Sequence, residues 1–219
     1  MTATMEKTSM DKSISPQKPP YDDTGSTTST APPPYQSASS SSPSLTIKYR
    51  DWRSRHGVLI DTTTGATLYT SEHRYRKPTF TLANAQGTPV ANAASSAWTM
   101  KFDFHLTGVG AFELTPRHKL GCDVTYPSPA YGQTLTWKST KYWNRLEYVL
   151  LDEGALPIAR FLGGSAWKCM PWGEFGGFEF VEGRVETEAA RDEVVATGLC
   201  VAYKAVVSRQ ASTSAVVVS

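Results

Sequence analysis

The stretch VVATGLCVAYKAVV, residues 194–207, decides how this chain is read. Val194, Val195, Ala196, Leu199, Cys200, Val201, Ala202 and Tyr203 spread round every face of a helix, so the segment has to be surrounded either by lipid or by protein. The uncharged stretch from Val194 to Tyr203 is only ten residues long before the charge at Lys204, whereas a bilayer calls for about 20 apolar residues. A charged group at depth costs at least ~2.5 kcal/mol on insertion scales. The stretch is too short to span. The expectation is a helix over residues 187–209, with Glu188, Asp192 and Glu193 near its start and Lys204 and Arg209 near its end, as the helix dipole favours. It would run through a closed barrel, whose inward strand faces cover it all round and whose closure removes free sheet edges.

Outward from that helix the chain reads as strands. In WTMKFDFHL, residues 98–106, Trp98, Met100, Phe102, Phe104 and Leu106 share one face while Lys101, Asp103 and His105 take the other. Similar short runs are LTIKY, VLID, TLYTSEH, TFTLA, PVANA, AFELT, CDVTY, QTLTWKS, RLEYVLLD, PIARFL and FGGFEFV, which brings the total to about twelve strands separated by turn residues. LIDTTTGATLYT, LANAQGTPVA and LLDEGALPIA echo one another: each places Asp or Asn and then Gly between apolar runs. Those residues tolerate positive φ, so each reads as a hairpin, and together they predict a meandering antiparallel sheet.

Residues 1–44 differ in texture, being rich in Ser, Thr and Pro and nearly free of aliphatic side chains, so they are expected to be a disordered leader. Behind the first lysines no apolar run follows, so no secretory signal or leading membrane span is expected and the mature chain should start at Met1. Within APPPYQ, Pro32, Pro33 and Tyr35 belong to a P-P-x-Y element. Its prolines pre-set a polyproline II ridge that the tyrosine completes, the shape a WW domain takes in its aromatic groove. KPPYDD, around Tyr21, is a weaker copy, and Ser15-Pro16 and Ser42-Pro43 are candidate proline-directed phosphorylation sites.

Three cysteines, Cys122, Cys169 and Cys200, without a C-x-x-C pair imply reduced thiols rather than a disulfide framework, and place the protein in the cytosol or nucleus. The histidines His56, His73, His105 and His118 are scattered, without paired ligand spacing, so neither a metal nor another cofactor is expected. GGSAW is not a nucleophile elbow and TGVGAFE is not a dinucleotide fingerprint, so the chain is read as no enzyme. Asp103 and His105 share a strand face, which an exposed polar face explains.

Charge is uneven. Residues 45–145 hold thirteen basic and six acidic side chains, net +7, and residues 146–219 six and ten, net −4. The candidate anion-facing clusters are Arg50, Arg53 and Arg55; Arg74, Arg76 and Lys77; Arg117, His118 and Lys119; and Lys138, Lys141 and Arg145. HRYRKP, carrying Arg74, Arg76 and Lys77, mixes forked guanidinium donors with an aromatic, as phosphate recognition at a membrane surface needs. Over residues 45–219 the balance is nineteen basic against sixteen acidic, which gives no electrostatic footprint for nucleic acid.

The strand count, the D/N-x-G turns and the hydrophobic terminal helix together resemble the tubby C-terminal-like superfamily, in particular its LURP-one-related and phospholipid-scramblase-like branches, over residues 45–210. The resemblance implies a mainly β fold: a closed antiparallel barrel of twelve strands enclosing its last helix. It also implies phosphoinositide headgroups on a basic barrel surface. The cysteine-rich palmitoylation cluster and acidic calcium-binding segment of scramblases are missing, which counts against calcium-driven lipid scrambling. The expected organisation is therefore a leader at 1–44, a barrel at 45–210 and a short flexible tail at 211–219. The expected role is a non-enzymatic binding or adaptor module in the cytoplasm, peripheral at a membrane. Its barrel contacts anionic lipid, and its leader recruits a WW-domain protein such as a ubiquitin ligase. The alternative is a scramblase-like lipid-transport protein anchored by the last helix.

Overall fold

The computed structural model describes residues 44–49, 56–74, 79–95, 101–117, 123–140, 145–165 and 174–216, all within one unit of the chain, Ala38–Ser219. The first six strands are β1 (Ser44–Tyr49), β2 (His56–Asp61), β3 (Thr67–His73), β4 (Phe80–Asn84), β5 (Pro89–Ser95) and β6 (Phe102–Leu106). The next six are β7 (Gly110–Pro116), β8 (Val124–Ser128), β9 (Gln133–Ser139), β10 (Arg145–Leu151), β11 (Pro157–Ser165) and β12 (Glu174–Phe180), followed by the helix α1 (Glu188–Val216). Each strand pairs antiparallel with the next, and β12 closes onto β1 with Leu45 opposite Phe178. The closed barrel expected around the terminal helix is the one observed. β6 shows why: Phe102, Phe104 and Leu106 turn into the core while Asp103 and His105 stay exposed.

α1 fills the barrel. From Glu193 to Ala202 every residue is buried, so all faces of the helix are covered by strand side chains. Among the described residues no helix is long and apolar enough to cross a membrane. Thr187 caps its start, the Oγ1 accepting the Ala190 N–H at 3.1 Å. The helix does not stop at Arg209 as expected but runs to Val216, so the first six residues of the anticipated tail at 211–219 are helical. The physical reason is that residues 199–219 contain neither Gly nor Pro to end it.

The strand order gives the barrel two different ends. At the near end, where α1 begins, lie the β2–β3, β4–β5, β6–β7, β8–β9 and β10–β11 turns. At the far end β1, β3, β5, β7, β9 and β11 finish and β2, β4, β6, β8, β10 and β12 begin.

The sequence echoes correspond to an internal repeat. In the β4–β5 turn the Asn84 N–H donates to the Thr88 carbonyl at 3.0 Å, Gly87 N–H to the Asn84 carbonyl at 3.0 Å, and Thr88 N–H to Asn84 Oδ1 at 2.9 Å. Six strands later, Asp152, Ala155 and Leu156 make the same three bonds at 3.0, 3.0 and 2.8 Å. The β2–β3 and β8–β9 turns match likewise, Gly65 N–H reaching the Asp61 carbonyl at 2.8 Å and Gly132 N–H the Ser128 carbonyl at 2.9 Å. The barrel is thus two six-stranded halves with corresponding turns.

Where the halves differ, strain shows. Gly87 holds φ +79° without penalty, but its counterpart Ala155 is forced to +60°, a left-handed conformation that costs an L-residue roughly 1–2 kcal/mol. In α1, Gly198 is retained although glycine lowers helix propensity by about 1 kcal/mol, because a Cβ there would come within 2.6 Å of the Phe178 ring and 2.9 Å of Trp137.

Two outcomes follow for urea unfolding. Ala155→Gly should stabilise the protein by about 0.5–1 kcal/mol, part of the relief being offset by glycine's extra unfolded-state freedom. Gly198→Ala should destabilise it by about 1–2 kcal/mol, overpacking outweighing the gain in propensity. A neutral or stabilising Gly198→Ala would mean the rings are not packed against α1 as described.

Candidate functional site

α1 is not uniformly apolar. Glu193 and Thr197 sit one helical turn apart on one face and turn toward β8 and β9. The Glu193 carboxyl is fully buried. Ser128 Oγ donates to one of its oxygens and the Ala130 N–H to the other at 3.0 Å, while Ser128 Oγ itself accepts the Tyr131 N–H at 3.1 Å. One turn on, Thr197 Oγ1 accepts the indole N–H of Trp137 at 2.9 Å, donates to the Glu193 carbonyl at 2.8 Å, and lies 3.5 Å from the Tyr126 hydroxyl. The Glu193 carboxyl, the Thr197 hydroxyl and the Trp137 indole N–H are thereby satisfied, which matters because a buried polar group left unpaired costs about 1–3 kcal/mol.

The next residue round the helix pins the opposite wall. The Tyr69 hydroxyl on β3 donates to Asp192 Oδ1 at 2.6 Å. Two adjacent carboxylates therefore reach β3 on one side and the β8–β9 hairpin on the other, which sets the rotation and depth of the helix in the barrel. Burial raises the pKa of both carboxyls, against the hydroxyl and amide donors that favour the ionised form. Burial first and then the Glu193 carboxylate push the Tyr131 phenol up to about 12 and raise the Tyr126 phenol well above its ordinary value. The near end is further tied by an ion pair between Arg184 and Asp152 and by the Tyr131 hydroxyl donating to the Arg184 carbonyl at 2.9 Å.

On the outside, an open cleft of about 450 Å³ crosses β2, β3 and β4, lined by His56, Val58, Thr70, Glu72, Thr81 and Ala83. Arg74 stands at its margin with its guanidinium 2.6 Å from Glu72. That bond holds the Glu72 carboxyl below its usual range, so the Arg74 charge already has a partner. Arg76 and Lys77, expected beside it, lie outside the described residues, as do Pro32, Pro33 and Tyr35 of the leader. A second cleft, about 390 Å³, opens at the near end between Leu68, Tyr69, Asn84, Gln86, Glu186, Glu188 and Arg191. Asp103 and His105 face outward on β6, opposite Glu113 and Ala111 of β7. Among the described residues no group of three His, Cys, Asp or Glu side chains could hold a metal ion.

No protein family, curated protein or solved structure matches the chain.

The interior polar strip escaped the sequence reading, which weighed the helix by its apolar residues. Its signal was nevertheless present: Glu193 and Thr197 at i and i+4, and the turn sequence SPAYG, residues 128–132. What the sequence does not show is that β8 brings that turn onto the helix.

Because Glu193 has a raised pKa in the folded protein, its contribution to stability is present below the ordinary carboxyl range and lost as pH rises through the raised value. Glu193→Gln removes that loss. Urea unfolding of the two proteins from pH 4.5 to 8 should therefore show the variant gaining on the wild type as pH rises, and a pH-independent difference would exclude a burial-shifted Glu193.

Proposed function

We propose that this protein is a non-enzymatic binding module that rests the far end of its barrel on an anionic membrane surface while its leader recruits a WW-domain protein. The observation that carries the reading is the way the barrel's two ends sort the sequence. Near-end turns and the start of α1 contain Asp61, Asp152, Glu153, Glu182, Glu186 and Glu188 against Arg184 and Arg191, with no lysine and no tryptophan. The far-end connections read RDWRSR, RYRKPT, SAWTMK, RHKLGCD, TKYWN and AWKCMPWG. Most of these residues lie outside the described ones; the strand termini fix the end at which each connection leaves and returns.

All four basic clusters singled out in the sequence border or fill those connections. Trp52, Trp98, Trp143, Trp167 and Trp172 belong to the same stretches of sequence, and Trp137 is buried in the core. Tryptophan favours the headgroup level of a bilayer, and each Lys or Arg near an anionic surface contributes about 1 kcal/mol. The combination fits a membrane surface, whereas nineteen basic against sixteen acidic side chains over residues 45–219 give no electrostatic footprint for nucleic acid. The Arg74, Arg76 and Lys77 cluster is then one part of a wider face.

The closed barrel around a terminal helix is also the architecture that the tubby-like resemblance implied, and supports it as a proposal. The scramblase-like alternative needs α1 in lipid; its covered faces and the pairing of Glu193 and Thr197 favour a docked barrel instead.

The test is flotation of the full chain with vesicles of phosphatidylcholine alone or mixed with phosphatidylserine. Binding should need the anionic lipid, weaken with salt, and drop at least severalfold both in the Arg74→Ala, Arg76→Ala, Lys77→Ala triple variant and in Trp143→Ala, Trp172→Ala. No flotation, or flotation unaffected by either variant, overturns the docking face. For the leader, capture on immobilised WW domains should be lost with Tyr35→Ala, and undiminished capture rejects that motif.

A further inference from the structure

The far half of the barrel interior contains a titratable group that none of the interactions above uses. His73, the last residue of β3, points inward and is 3% exposed. Its ring stacks on Tyr203 of α1 with centroids 3.7 Å apart and planes 16° apart, and meets Phe80 of β4 at 5.0 Å. Its Nε2 has no hydrogen-bond partner. We infer that His73 is a proton-operated latch, which holds the last buried turns of α1 while neutral and releases them when protonated.

The argument is steric and electrostatic. A neutral imidazole stacks between two aromatic rings as a flat apolar body. An imidazolium in the same place would carry an N–H that meets no acceptor among the described residues, and no described carboxylate bears on the charge. From β2 the one charge that bears on it is His56, which is repulsive when protonated. β4 offers Phe80, and α1 offers Tyr203 followed by Lys204, itself 9% exposed. Glu72 and Arg74, its neighbours on β3, face outward and pair with each other. The faces of Tyr203 and Phe80 return part of the cost as cation–π attraction, but they leave the new N–H unpaired. Burial accordingly holds the imidazole at about 3 while it stays in place.

Acid has two ways to relieve this, global unfolding or local withdrawal of the turns from Tyr203 onward, and geometry favours the second. α1 is pinned at the near end by Asp192, Glu193 and Thr197, whereas Tyr203, where it stacks on His73, is the first residue after Glu193 that is not fully buried. The far turns can leave while the near turns stay. On the reading proposed above, that is the docking end; the latch does not depend on that reading.

Backbone amide hydrogen exchange on the full chain, corrected for intrinsic rates, tests the inference. Between pH 7.5 and 5.0 the opening constant for amides 203–206 should rise about thirtyfold, as a group returning to the ordinary histidine value requires, while amides 195–199 change little. His73→Phe keeps an aromatic stack without the proton and should abolish the rise. NMR titration of the His73 ring checks the wild type directly and needs no variant. A rise that persists in His73→Phe, equal rises along all of α1, or a native His73 ring titrating near 6.5 would each overturn the latch.

Discussion

A helix without a polar face and a barrel without a filling are each unstable alone, and this protein solves both problems with one contact surface. α1 cannot lie on a sheet, because every side from Glu193 to Ala202 needs cover. Twelve strands closed into a ring need an interior occupant about the width of a helix, ~10 Å with its side chains. The fit is close enough that one missing Cβ, at Gly198, makes room for the Phe178 and Trp137 rings. The same indole donates its N–H to Thr197, so the helix approaches the wall at the point where a polar bond also fixes it.

Apolar packing alone would leave the helix free to rotate or slide, since a greasy cylinder in a greasy tube has many near-equivalent positions. The buried polar groups remove that freedom. Asp192 and Glu193 address opposite walls through Tyr69 and through Ser128 and Ala130. Satisfying them together permits one rotation and one depth. They lie in the first turns of α1, and the His73 stack meets the helix further along, at Tyr203. The polar bonds from Asp192, Glu193 and Thr197 all fall at the near end of the helix.

That asymmetry coincides with a second. Two half-barrels with matching turns form the near end, where short hairpins are specified by Asx geometry at Asp61, Asn84 and Asp152. The stretches of sequence that join the strands at their other ends contain five of the six tryptophans and much of the basic charge. A meander that begins and ends at the same pair of neighbouring strands turns an alternation along the sequence into a difference between two ends in space.

By itself the sequence determined the elements and the enclosure. Period-two runs such as WTMKFDFHL, the Asp or Asn followed by Gly at the turns, and the length of the apolar stretch are local quantities, and local quantities decide strand, hairpin and buried helix. The helix's end at Val216 was not legible in the same way, because it depends on the absence of a stop signal rather than the presence of one. Tertiary structure alone decided which residues meet. Ser128 and Glu193 are far apart in the chain, as are His73 and Tyr203. The physical reason is that inter-element contacts depend on register and closure. A one-residue slip would turn each strand's inward set outward, and no stretch short enough to read locally contains both partners.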